Sequence, residues 1–131
     1  MNLLPCIYLI TGGAIGTFCR YAIVQMIQRS NAQALFPWGT LCVNLTGSLL
    51  IGVIWGLLEP LQSGHPLRLF LIIGLLGGFT TFSSFSMETI VLFKAGEVKN
   101  ALLYIFSSNI GGIALAYAGY LLAVYCKSAT N

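Results

Sequence analysis

Residues 77–88, "GGFTTFSSFSME", decide how this chain is read. They follow the apolar run "LRLFLIIGLL" (67–76) and precede "TIVLF" (89–93). A segment of that kind crosses a bilayer, yet its centre holds two glycines, five hydroxyls and three phenylalanines at three-residue spacing. From residue 67 to 93 an unbroken helix would measure roughly 40 Å at 1.5 Å per residue. That is well beyond a hydrocarbon core of about 30 Å. Glycine is a poor helix residue, and β-branched threonines tolerate non-helical backbone. Gly77, Gly78, Thr80 and Thr81 therefore predict a helix broken at the membrane midplane. The alternative is an intact, tilted helix that uses its glycines for packing. Unwound backbone is tolerated at that depth only inside protein or along a cavity. Its freed carbonyls would offer a cation site.

The rest of the chain sets the context. It has 131 residues, 57% hydrophobic and 7% charged, with mean hydropathy +0.89. Soluble domains carry about 25% charged residues. The composition predicts an all-α integral membrane protein, one domain over residues 1–131. Four apolar segments, about 3–27, 38–58, 67–93 and 99–125, reach spanning length. The connections "QRSNAQALFP", "EPLQSGHP" and "KAGEVK" hold most charges and turn residues. The first segment lacks a basic leader and runs past signal-peptide length, so it is expected to be retained. A net charge of +3 is too small to suggest nucleic acid.

Four spans place Arg68 and Lys127 on one side, and Arg29, Lys94 and Lys99 on the other. Orientation follows a Lys/Arg bias, and almost none exists here. Insertion in both directions, and with it an antiparallel homodimer, is therefore open to this chain. Gly12 and Gly16, Gly52 and Gly56, and the trio Ser108, Gly112 and Ala116 form small-residue ridges suited to close helix contact. Cys6, Cys19, Cys42 and Cys126 are scattered, which reads as small apolar residues rather than a metal or disulfide framework.

Phe82 and Phe85 share one helix face, in the company of Ser83, Ser84, Ser86 and Glu88. They read either as packing residues or as ring edges, which are electropositive, turned toward an anion. Such weak donors let an ion leave as well as enter. Thr40, Asn44 and Ser48 form one stripe of the second span. Asn44 is either interhelical glue or an amide aimed into a polar path. Tyr104, Ser108 and Asn109 offer the same choice in the fourth. Arg20 and Glu88 are the charges nearest the hydrocarbon and could snorkel to its edge. No nucleophile–base pair or phosphate loop is present, which argues against an enzyme.

"GGAIGTFCRY" (12–21), "WGTLCVNLTGSLLIG" (38–52) and "GLLGGFTTFSSFSMET" (74–89) resemble, in order and over nearly the whole chain, the signature stretches of the Fluc (CrcB) fluoride channels. The resemblance implies a fluoride-selective passive ion channel that lowers cytoplasmic fluoride. It implies a multi-pass protein of the inner or plasma membrane, and a dual-topology antiparallel homodimer with a structural sodium ion. Carbonyls of Gly77 and Thr80 would hold the sodium. Phe82, Phe85, Asn44, Ser108, Tyr104, Ser83 and Thr40 would line the fluoride pore. Arg20 and Glu88 would lie at the vestibule or along the polar track. The rival is a small four-span coupled exporter of dual topology. Such a protein needs an acidic residue deep in its first spans, and none occurs before Glu59.

Overall fold

The computed structural model describes residues 3–31 and 34–130; residues 32 and 33 of the first connection lie outside the described residues. Four helical segments are long and apolar enough to cross a membrane: Leu4–Ser30, Trp38–Leu58, Pro66–Lys94 and Val98–Ala129. The first and last run a few residues further than hydropathy alone predicts. Helix α1 is Leu4–Ser30 and α2 is Trp38–Leu58. The third segment is composite. Helix α3 covers residues 66–79, with an α-helical turn at Pro66–Arg68, a π-helical stretch at Leu69–Leu76 and a last α-turn at Gly77–Phe79. Thr80 (φ −85°, ψ 159°) and Thr81 (φ −150°, ψ 121°) are extended. Helix α4, Phe82–Lys94, follows, and α5 is Val98–Thr130.

The extended residues differ from the expectation in position. Gly77 is helical, at φ −63° and ψ −36°. A methyl at Gly78 would sit 2.6 Å from the Gly13 carbonyl oxygen, so that glycine serves close approach to α1. The two threonines supply the non-helical backbone. Thr81 then caps α4, its Oγ1 accepting from the Ser84 N–H at 3.2 Å.

Lipid removes the hydrophobic drive between helices, so small residues and backbone contact do the packing. The two glycine ridges divide that task. Gly12 and Gly16 of α1 lie against α3: a Cβ at Gly12 would meet Phe70 O at 2.5 Å, and one at Gly16 would meet Phe79 N at 2.8 Å. Gly52 and Gly56 of α2 lie against α5, where a Cβ would meet Tyr120 N at 2.9 Å or Ala123 Cβ at 2.7 Å. Gly119 returns the contact, 3.0 Å from Val53 N by the same measure. The chain is thus two helix pairs, α1 with α3 and α2 with α5, joined through α1–α2 and α4–α5 contacts.

The ends are closed by recognisable devices. Gly96 (φ +78°) ends α4, with Gly96 N–H donating to Phe93 O and Glu97 N–H to Leu92 O, a Schellman pattern. The last carbonyls of α2 receive cations, which suits the negative end of a helix dipole. Lys127 Nζ donates to Gly56 O at 2.6 Å. Arg68 Nη1 donates to Leu58 O at 3.3 Å and Leu61 O at 3.0 Å, and its guanidinium lies 4.5 Å from the Trp55 ring centroid. These contacts hold the Arg68 side chain against the C-terminal end of α2.

Candidate functional site

Beside the extended Thr80–Thr81 segment, a cleft lies between α3–α4 and helices α2 and α5. The cleft between them has a volume of about 340 Å³. Asn44, Thr80, Thr81, Phe82, Phe85 and Ser108 are among its lining residues, and none of the lining residues is charged.

Asn44 explains how the extended backbone is kept. Its Nδ2 donates to Thr81 O at 2.9 Å, and its Oδ1 accepts from Thr81 N–H at 2.8 Å. The side-chain amide replaces both ladder partners that Thr81 would have in a helix. A carboxamide has two N–H donors, so one remains beyond the Thr81 contact. Asn44 is therefore glue, and it also lines the cleft.

The same exchange releases other backbone groups. In an α-helix the Thr81 N–H would bond Gly77 O, four residues back; here it goes to Asn44. The Ser84 N–H, which would bond Thr80 O, goes to Thr81 Oγ1. The carbonyls of Gly77 and Thr80 thus lack the N–H donors that a continuous α-helix would give them from Thr81 and Ser84. Gly77 is exposed and Thr80 half-buried. Arg20 Nη1 lies 3.5 Å from Thr80 O, and the Arg20 side chain is half-buried. Arg20 Nη1 thereby links α1 to the extended backbone between α3 and α4.

Phe82 and Phe85 stand side by side, centroids 5.5 Å apart, in unlike settings. Phe85 is 8% exposed and packs with Leu41, Leu92 and Tyr104; Phe82 is 75% exposed, at the open rim. Ser108 lines the same cleft, and its Oγ is buried with no hydrogen-bond partner. An unpaired buried hydroxyl costs about 1–3 kcal/mol, so this one is available to a molecule or ion that enters the cleft. Ser83 is exposed, its Oγ 3.3 Å from Thr81 Oγ1.

Thr40, Tyr104 and Glu88 form a second group. Glu88 Oε1 accepts the Thr40 hydroxyl and Oε2 the Tyr104 hydroxyl, each at 2.7 Å. Tyr104 has no exposed surface, and its ring is 5.1 Å from that of Phe85. Phe85 and Tyr104 therefore join the two groups. Sequence reasoning did not anticipate Phe36, which meets the Tyr104 ring edge-on at 5.6 Å. Nothing in its spacing marked it, since it lies in a connection. It did not single out Thr81 as the capping residue either, although a threonine three positions before Ser84 is a capping signal.

Among the described residues no cluster of carboxylate, imidazole or thiolate groups suited to a metal occurs.

Comparison with known proteins points in one direction. Residues 7–120 match the family model described as CrcB-like protein, Camphor Resistance (CrcB). A protein of Thermus thermophilus, named fluoride-specific ion channel FluC, is 53% identical over 112 residues, covering 85% of this chain and 88% of its own. The protein of the same name from Parabacteroides distasonis is 46% identical over 114 residues, 87% of this chain and 88% of its own. That from Agrobacterium fabrum is 46% identical over 113 residues, with coverages of 86% and 90%.

Proposed function

The chain belongs to the CrcB family, and from that premise we propose that it is a fluoride-selective channel of the cell membrane. It conducts passively, and so exports fluoride and lowers its cytoplasmic concentration. The observation that carries this reading is the uncharged cleft in which the buried, unpartnered Ser108 hydroxyl stands with Phe82 and Phe85.

The chemistry suits a small, strongly hydrated anion. Entry requires that the hydration shell be exchanged for donors. Ring edges carry partial positive charge. The Ser108 hydroxyl has a proton to give, and Asn44 has a spare N–H. None of these is a full cation, so none would trap the ion. Arg20, beside Thr80, adds attraction at a remove. A coupled exporter is less well supported, because the first two spans contain no acidic residue.

The pore is completed by a second copy in this reading. A phenylalanine 75% exposed at the rim of a polar cleft has half a binding site around it. The interruption at Thr80–Thr81 lies at the bilayer midplane, and an antiparallel partner meets it there. Gly77 and Thr80 carbonyls from each chain then surround one structural sodium ion. Hard cations take oxygen ligands, and freed backbone carbonyls serve sodium in membrane proteins. When bound, the ion supplies positive charge that joins the two chains.

The test is efflux. Liposomes loaded with potassium fluoride should release fluoride rapidly once a potassium ionophore is added, and chloride hardly at all. Release that requires a proton gradient would favour the exporter. Reporters fused to the C-terminus should reveal both orientations; one strict orientation would exclude the antiparallel pair. Replacing all sodium by N-methylglucamine should loosen the pair, and a pair indifferent to that exchange would remove sodium from the account.

A further inference from the structure

One end of the bundle gathers positive charge. Four spans put the start of α1, the second connection and the end of α5 on the same side of the membrane. On that side Arg68 stands in the first turn of the third span, Trp55 in the last turn of the second, and Lys127 in the last turn of α5. The Nη1 donors of Arg68 go to Leu58 O and Leu61 O. A guanidinium carries further N–H donors on Nη2 and Nε, and no protein acceptor for them occurs among the described residues. Among those residues no carboxylate pairs with Arg68 either; Glu59, at the end of α2, accepts the Tyr120 hydroxyl at 3.5 Å. The guanidinium lies over the Trp55 ring, 4.5 Å from its centroid. Membrane tryptophans favour the headgroup level, where the planar donors of an arginine match phosphate oxygens in pairs.

An apolar groove of about 360 Å³ opens at the same surface, between α1 and the start of α3. Ile7, Thr11, Leu67 and Phe70 are among its lining residues. Both walls run inward from that surface, from 7 to 11 on α1 and from 66 to 70 on α3, so the groove descends about one turn into the hydrocarbon. The Thr11 hydroxyl is turned onto its own helix, donating to Ile7 O at 2.7 Å, and nearly all of the lining surface is apolar. Leu67 of the α3 wall adjoins Arg68 in the chain, which sets a seat for an acyl chain beside a seat for a phosphate.

We propose that this end of each chain holds one anionic phospholipid, its phosphate on Arg68 beside Trp55 and one acyl chain in the α1–α3 groove. Basic side chains at the membrane surface attract anionic headgroups. Lys127 adds to the positive charge of this side, so an anionic headgroup is preferred to a zwitterionic one. The proposal does not depend on which ion the protein conducts.

Native mass spectrometry of the full chain in detergent tests it. With phosphatidylglycerol and phosphatidylcholine of the same acyl chains supplied in equal amounts, the protein should retain phosphatidylglycerol severalfold over phosphatidylcholine. Arg68→Gln should bring the two lipids to near-equal retention. Thr11→Phe, which fills the groove from an exposed position, should lower the retention of both. Millimolar inorganic phosphate should displace neither, because it has no tail to seat. Equal retention by the wild type, or an unchanged preference in folded Arg68→Gln protein, overturns the proposal. Lipid that inorganic phosphate removes also overturns it, and makes Arg68 a site for a dissolved anion. A Thr11→Phe protein that keeps its lipid overturns it too; if that variant no longer pairs, the groove is a contact between two copies. Should Arg68→Gln not fold, the Thr11→Phe and phosphate arms decide. The readout is lipid mass, so an absence of fluoride efflux bears on the channel reading alone.

Discussion

Asn44 grips the backbone of Thr81 from both edges of its amide, donating at 2.9 Å and accepting at 2.8 Å. Thr81 is 9% exposed, so water is a poor substitute for either bond. Asn44→Ala leaves a buried N–H and a buried C=O without partners, at about 1–3 kcal/mol each. A loss of about 2–6 kcal/mol on that basis should appear as a large drop in melting temperature in detergent. Asn44→Asp keeps an acceptor for the N–H but sets a negative charge on the cleft. It should recover part of the stability and none of the fluoride flux. Equal recovery of both would mean that Asn44 acts only as glue.

The two phenylalanines should separate flux from stability. Phe82 is exposed at the rim of the single chain, so Phe82→Ile should change the stability of each chain's own fold by less than about 0.5 kcal/mol, as surface substitutions do. Phe85 belongs to the core with Leu92 and Tyr104, and Phe85→Ile should cost measurably, though less than the about 3–5 kcal/mol of full truncation to alanine. Both substitutions should slow fluoride efflux at least tenfold, about 1.4 kcal/mol of barrier. Wild-type flux in either variant would remove that ring from the path.

Ser108 should behave in the opposite sense to a structural hydroxyl. Its Oγ is buried without a partner. Ser108→Ala removes that unsatisfied group, so the protein should be as stable or about 1 kcal/mol more stable. Fluoride flux should fall. A variant with normal flux would show that the hydroxyl is not an ion ligand.

Neighbouring glycines of α1 should differ sharply. A methyl at Gly16 would press on the α3 backbone, 2.8 Å from Phe79 N. At Gly13 the nearest such atom is Gly74 O at 3.9 Å, an ordinary contact. Gly16→Ala should reduce the yield of folded protein strongly, and Gly13→Ala should leave it near wild type. Size-exclusion profiles of the two variants provide the comparison.

Some of this was legible in the residues and some was not. Hydropathy alone located four apolar helices, because in lipid a helix satisfies its own backbone and its length follows the bilayer. The Gly12–Gly16 and Gly52–Gly56 ridges announced close packing, since only a missing Cβ lets backbones meet. The three stretches that resemble the family agree with the match over residues 7–120. The π-helical turns at Leu69–Leu76 were not legible, because eight apolar residues look the same in either ladder. The glycine pair 77–78 suggested unwinding, but tertiary contact with Gly13 accounts for Gly78, and the threonines leave the helix. The dual role of Asn44 could not be read either, because its partner lies 37 residues away in the chain.

That distance has a bearing on biosynthesis. The shape of Thr81 is written by a side chain from the preceding span, so the template is made first. When the third span leaves the ribosome, the second is already in the bilayer with its amide waiting. A circularly permuted chain that began at residue 66 would face lipid with the Thr81 peptide groups bare, until the latecomer arrived to cover them.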